Sequence, residues 1–204
     1  MKPELDAKTI VPFIAKIFER RGAEEYLGEP VTISAHMLQG AWFAEQEGAP
    51  DELVVAALLH DIGHFTSEFG TYTPDDQEDR RHDHAGADVL EPFFPPVVTA
   101  CVRLHVAAKR YLCATDSSYF GKLSPASVHT LALQGGPMSE EEVARFRTNP
   151  FHDEAVRVRL WDEMGKVPGM TTKSFRDYVP LLERVVRQHA RTQISLGKSD
   201  VAEA

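Results

Sequence analysis

Eight residues carrying a single charge, ELVVAALL at positions 52–59, run directly into HDIGH at 60–64. A helix that is apolar on nearly every side must lie at the centre of the fold, and Asp51 is placed to cap this one. His60, Asp61 and His64 are thereby carried towards the interior. Desolvating a His–Asp pair costs several kcal/mol unless a metal or hydrogen-bond partners compensate. The chain is therefore expected to fold around a polar centre that needs a counterpart.

Helical spacing recurs elsewhere. Ile10, Phe13, Ile14, Ile17 and Phe18 mark an amphipathic segment that Gly22 closes, and a second pattern runs from Val31 to Glu47. Further helices are predicted over His82–Leu90, Pro96–Arg110, Pro125–Leu133, Pro150 to about Gly165, and Ser174–Leu196, with a polar tail at 197–204. Ser139 and Glu142 have capping-box spacing. Residues 65–81, rich in Thr, Asp and Gly around Pro74, read as a surface loop. No alternating run marks a strand and no repeat is present, so the expectation is one all-α domain spanning 1–204, its core at about 10–166. A chain of 204 residues with 43% hydrophobic and 26% charged residues can build such a core.

The net charge of −9 is the wrong sign for a nucleic-acid groove or an anionic membrane surface. Two cysteines without framework spacing, and an N-terminus broken by Lys8, Lys16, Glu4 and Asp6, lead to the expectation of a cytoplasmic protein in a reducing compartment. The expected partners are small molecules, and the oligomeric state is left open.

His36, His60, Asp61, His82, His105 and Asp162 each fall on a predicted helix or at its end. Imidazole and carboxylate suit first-row metals, and the lack of a cysteine cluster argues against structural zinc. The adjacent His60–Asp61 pair suits a two-metal site, because a carboxylate can bridge two cations while an imidazole holds one.

His36, LLHDIGH at 58–64, HDHAGADVL at 82–90, LHVAAKRYL at 104–112 and RLWDE at 159–163 together resemble the HD-domain superfamily in its H…HD…H…H…D form. The resemblance implies two metals, one held by His36, His60, Asp61 and Asp162, the other by Asp61, His82 and His105. In HDHAG the family pattern selects His82. His84 is rotated from it by roughly 200° on a helix and is expected to face solvent.

Most of that superfamily hydrolyses phosphate esters, and a small branch carries two irons and activates dioxygen. Tyr26-Leu-Gly-Glu29, Lys109-Arg-Tyr-Leu112, Ser118-Tyr119, Leu123-Ser-Pro-Ala-Ser127, Thr130-Leu131, Gln134-Gly-Gly-Pro-Met138 and Arg159-Leu-Trp-Asp162 resemble, in order, the phosphonate dioxygenases of the di-iron branch. This implies a mixed-valent Fe(II)/Fe(III) pair and oxidative cleavage of a carbon–phosphorus bond. The substrate so implied is 2-amino-1-hydroxyethylphosphonate, with O2 consumed and glycine and inorganic phosphate formed.

The spacing of other residues agrees. Lys109 lies one helical turn after His105, and Arg159 lies three residues before Asp162, so both cations can approach the metals. With Ser127 and Thr130 they could hold a tetrahedral dianion, and Gln134 is a further candidate. By resemblance, Tyr26 occupies an iron position until substrate enters, and Glu29 turns to the substrate amine. A carboxylate facing N–H donors points to a primary amine. His64 is read as a contact to the substrate hydroxyl or to the metal ligands, and Tyr119, Phe120 and Trp161 as packing. The alternatives are a metal-dependent phosphohydrolase, an oxygenase of another 1-hydroxyphosphonate such as the trimethylammonium homologue, and a binding module without catalysis.

Overall fold

A computed structural model describes residues 5–26, 28–66 and 77–202, with side chains as far as Ser195. Among the described residues, ten α-helices follow one another: α1 Ile10–Arg21, α2 Ile33–Gln46, α3 Asp51–Leu59, α4 Gly63–Thr66, α5 His82–Leu90, α6 Pro96–Thr115, α7 Pro125–Leu133, α8 Glu140–Arg147, α9 His152–Met164 and α10 Phe175–Ala202. A single 3₁₀ turn at Phe120–Lys122 precedes α7. The described residues contain no strand, only one isolated bridge between Glu25 and Thr32. The fold is all-α, and none of the described helices is long and apolar enough to cross a membrane.

The apolar run dictates the layout. Every α3 residue from Leu53 to Leu59 is buried, and α2, α6, α9 and α10 pack around it. The amphipathic α1 lies against α10, where Phe18 stacks on Phe175 with ring centroids 4.1 Å apart. Ser139 and Glu142 form the capping box predicted for α8, and Trp161 packs in the core, whereas Phe120, expected to pack as well, is exposed.

Asp51 does not cap α3: it is the first helical residue, behind Pro50, and its side chain accepts no cap hydrogen bond. Three boundaries lie more than two residues from the sequence reading. HDIGH does not continue α3: the helix stops at Leu59, and hydrogen bonds from Ile62, His64 and Phe65 N–H to the carbonyls three residues back tighten the chain into a turn before α4. The second difference is that α6 runs past Arg110 to Thr115, since no breaker intervenes before the extended Asp116. The third is that α10 carries the expected polar tail as helix through Gly197 to Ala202. Of the predicted loop, Phe65 and Thr66 belong to α4, and 67–76 lie outside the described residues.

Gly63 lets α4 meet α5. A Cβ there would overlap the His82 carbonyl oxygen and lie 2.8 Å from the Gly86 nitrogen. Gly63→Ala should therefore push α5 away, at a cost of about 2–3 kcal/mol for overpacking. A thermal melt against wild type checks this.

Candidate metal centre

Five elements deliver six side chains to one point. His36 comes from α2, His60 and Asp61 from the turn after α3, His82 from the first position of α5, His105 from the middle of α6, and Asp162 from α9. His36, His60, Asp61, His105 and Asp162 are almost wholly buried.

The imidazoles are oriented by backbone carbonyls. His36 Nδ1 lies 3.0 Å from Gly165 O, His60 Nδ1 2.8 Å from Ala57 O, and His105 Nδ1 2.7 Å from Val102 O. With Nδ1–H donated outward, each Nε2 presents a lone pair inward, as in metal-bound histidines. His36 and His60 then bring Nε2 atoms within 3.0 Å of each other, as do His82 and His105. Two lone pairs at that distance repel unless a proton or a cation lies with them.

Asp61 joins the two pairs. Its Oδ2 is 3.5 Å from the Nε2 of both His36 and His60, and its Oδ1 is 3.3 Å from His82 Nε2 and 3.4 Å from His105 Nε2. Asp162 Oδ1 completes the first group at 3.2 Å from His36 Nε2 and 3.8 Å from His60 Nε2. The groups His36–His60–Asp61 and Asp61–His82–His105 each have the compactness a metal ion needs. Asp61 Oδ2 and Asp162 Oδ1 are buried without a hydrogen-bond partner. Such orphaned carboxylate oxygens are costly, and a cation between them and the inward imidazole nitrogens would remove that cost. The donor set therefore fits two first-row cations.

The electrostatics agree. Burial opposes charge on Asp61 and Asp162, yet the surrounding histidines, and Arg159 beside Asp162, hold both carboxyls well below the usual range. Burial pushes His60 down to about 4, which keeps a metal-ready neutral imidazole at neutral pH. His36 and His82 are buried too, but the Asp162 and Asp61 carboxylates carry them above the ordinary value.

A cleft of about 670 Å³, counting its open mouth, leads to this centre. On one wall Tyr26 stacks on His36, with centroids 4.6 Å apart and planes 17° from parallel. Its edge meets His64, which stacks on His82 at 4.2 Å. Burial, then the Asp61 and Asp162 charges, hold the Tyr26 phenol strongly protonated. Burial and the neighbouring His82 push His64 down to about 3. His84 is half exposed and pairs with Asp83, as the rotation from His82 predicted.

Lys109, Ser127, Thr130, Gln134 and Arg159 line the same cleft. Lys109 Nζ donates to Thr130 Oγ1 at 2.8 Å. Arg159 is engaged on every side: it pairs with Asp162 and Glu163, donates from Nε to Tyr119 Oη at 2.8 Å, and lies 3.5 Å from Ser127 Oγ. Gln134 Oε1 is buried without a partner. Glu29 differs from the expectation of a carboxylate open to an amine. It accepts from Ser124 Oγ and forms an ion pair with Lys166 Nζ at 3.0 Å.

Four of these participants escaped the sequence reading. Tyr119 is buried as expected of a packing residue, and its hydroxyl also braces Arg159. Glu163, Lys166 and Ser124 join Glu29 to the arginine. Glu163 follows Asp162 directly and could have been suspected from its place in RLWDE. Lys166 lies past the last residue of α9, where helical spacing makes no statement.

A buried His/Asp centre inside a helical bundle is the hallmark of HD-type metal proteins, and the HD domain family matches residues 31–164. The chain belongs to that family. Over 186 residues, 91% of this chain and 95% of the relative, it is 59% identical to the 1-hydroxy-2-(trimethylamino)ethylphosphonate dioxygenase (glycine-betaine-forming) of Leisingera caerulea. It is 41% identical to the hydroxymethylphosphonate dioxygenase of Gimesia maris over 84% of this chain and 87% of that one. An uncharacterised protein of Acanthamoeba polyphaga mimivirus is 31% identical over 83% of this chain and 78% of its own length.

Proposed function

We propose that this protein is a di-iron oxygenase that cleaves the carbon–phosphorus bond of a 1-hydroxyphosphonate carrying a trimethylammonium group. The reaction consumes O2 and forms glycine betaine and inorganic phosphate. The observation that carries this reading is the 59% identity, over 91% of the chain, to a glycine-betaine-forming dioxygenase. The glycine-forming reaction expected from Glu29 gives way to the alternative named beside it. The carboxylate that was to select N–H donors is engaged by Ser124 and Lys166.

His36, His60, Asp61 and Asp162 would hold one iron, and Asp61, His82 and His105 the other. Bound there, an Fe(II)/Fe(III) pair supplies dioxygen activation and one-electron oxidation of the substrate carbon. The protein's own residues bind and orient. Lys109 neutralises the phosphonate, with Ser127, Thr130 and Gln134 as hydrogen-bond partners, and Arg159, its charge shared with Asp162 and Glu163, adds the edge that it turns to Ser127. Tyr26 covers the His36 side of the centre until substrate arrives. His64, kept neutral, can meet the substrate hydroxyl.

Lys109 makes binding pH-dependent. Burial, then the nearby Arg159 charge, push its ammonium down to about 7. The charged form binds the dianion, so affinity is lost as pH rises through the Lys109 titration. The KM for phosphonate should climb towards a limit of about tenfold per pH unit above the titration, and Lys109→Met should flatten the profile.

The test of function is phosphate and betaine release by iron-loaded protein with and without O2. Oxygen-dependent release of both supports the reading. Oxygen-independent hydrolysis of a phosphate ester, with no phosphonate turnover, overturns it.

A further inference from the structure

We propose that Lys166 is a positioning residue that sets which amine the site accepts, acting through Glu29. By pairing with Glu29 Oε1, which Ser124 also claims, it offsets the carboxylate charge and weakens Glu29 as an acceptor for an N–H donor. This rests on the substrate reading above.

Lys166 is held in place from two sides. Gln39 clamps the next residue, accepting from Val167 N and donating to Val167 O, both at 2.9 Å. The preceding residue, Gly165, presents its carbonyl to His36. From that anchored backbone the ammonium reaches Glu29 at 3.0 Å, Ser127 Oγ at 2.9 Å, Glu163 at 3.2 Å and Ser124 Oγ at 3.3 Å. Its side chain is 9% exposed and that of Glu29 only 3%. Few solvent-separated arrangements are open to either group.

The other half of the pair is equally constrained. Gly28 precedes Glu29 at φ +79°, and a Cβ on it would lie 2.9 Å from Ala126 Cβ. Only glycine lets this turn close onto the start of α7. There, Ser124, the N-cap of α7, donates its hydroxyl to the same Glu29 oxygen that faces Lys166. Glu29 Oε1 thus serves two donors of the protein's own.

The chemistry discriminates between amines. A primary ammonium brings three N–H donors that must find acceptors when water is removed, and a site that cannot supply them rejects it. A trimethylammonium brings none and is held by charge and apolar contact. A Glu29 whose Oε1 already serves Ser124 and Lys166 therefore has less to offer the first, and the second requires no acceptor.

Lys166→Met frees one of the two claims on Glu29, and Lys166→Arg preserves the pairing. Each full-length iron-loaded variant is assayed with the trimethylammonium substrate, its primary-amine homologue and hydroxymethylphosphonate, which carries no cation. Loss of the Lys166–Ser127 contact acts on the phosphonate common to all three and cancels in ratios. In Lys166→Met the kcat/KM ratio of primary to quaternary amine should rise about tenfold or more, the worth of one charge-assisted hydrogen bond. The change should fall in the KM of the primary amine, with the ratio restored in Lys166→Arg. Ser124→Ala, which releases the other claim and leaves Lys166 in place, should shift the ratio the same way. An unchanged ratio in Lys166→Met overturns this role while the substrate reading stands, whatever Ser124→Ala does. A wild type that favours the primary amine, or turns over none of the three, overturns the reading and the role together.

Discussion

Asp61→Ala should empty both halves of the centre at once. One carboxylate faces all four metal-directed imidazoles, with Oδ2 towards His36 and His60 and Oδ1 towards His82 and His105. Without it, each group keeps imidazoles whose lone pairs face each other, and the second group has no anionic ligand left. Altering a group that merely supports a metal ligand costs about 10–100-fold in affinity or activity, and losing the shared ligand itself should exceed that. Elemental analysis should find little iron per chain, and oxygen-dependent phosphate release should drop by more than about a hundredfold. Asp61→Asn, which preserves shape, separates loss of charge from loss of packing. Two irons and full activity in Asp61→Ala would sink the assignment of a bridged pair.

Arg159→Ala should have the second large effect, and on stability as well as turnover. The guanidinium is 4% exposed and bonds Asp162, Glu163 and Tyr119. Removing one member of a buried ion pair leaves an uncompensated charge, at about 3–5 kcal/mol. For a domain of this size that lowers the melting temperature by roughly 6–20 °C. Metal loading should narrow the gap, because a cation beside Asp162 replaces part of the lost charge. Calorimetry on metal-free and loaded protein therefore tests the ion pair and the site together. Arg159→Lys should not rescue, since one ammonium cannot span these three partners in the plane of a guanidinium. A melting temperature equal to wild type in the metal-free variant would show that the pair carries no such load.

Much of the centre was legible from residue order. Helical periodicity places the helices, because the apolar stripe of a helix is a local property. The need of a desolvated His–Asp pair for a counterpart singles out His60 and Asp61 before any neighbour is known. Resemblance to a familiar ligand order supplied the distant members. The end of α3 at Leu59 was not legible, since the only breaker in HDIGH is Gly63, four residues further on, and what Gly63 serves is the close approach of α4 to α5. Glu29 shows the same limit from the other side. As a residue type it suggests amine recognition, but its neighbours Ser124 and Lys166 stand 95 and 137 positions away.

By itself, then, the sequence determined an all-α bundle, a central apolar helix ending in a polar pair, and an N/O donor set without thiolates. These follow from composition and short-range spacing, which need no knowledge of which helix lies beside which. Tertiary structure alone decided that His36 turns its Nε2 inward, because the carbonyl that accepts from its Nδ1 belongs to Gly165, 129 residues on. It also decided that Asp61 divides its two oxygens between two imidazole pairs, and that Lys166 occupies Glu29. Each depends on the direction of a side-chain atom relative to a distant backbone, and that direction exists only once the helices have packed.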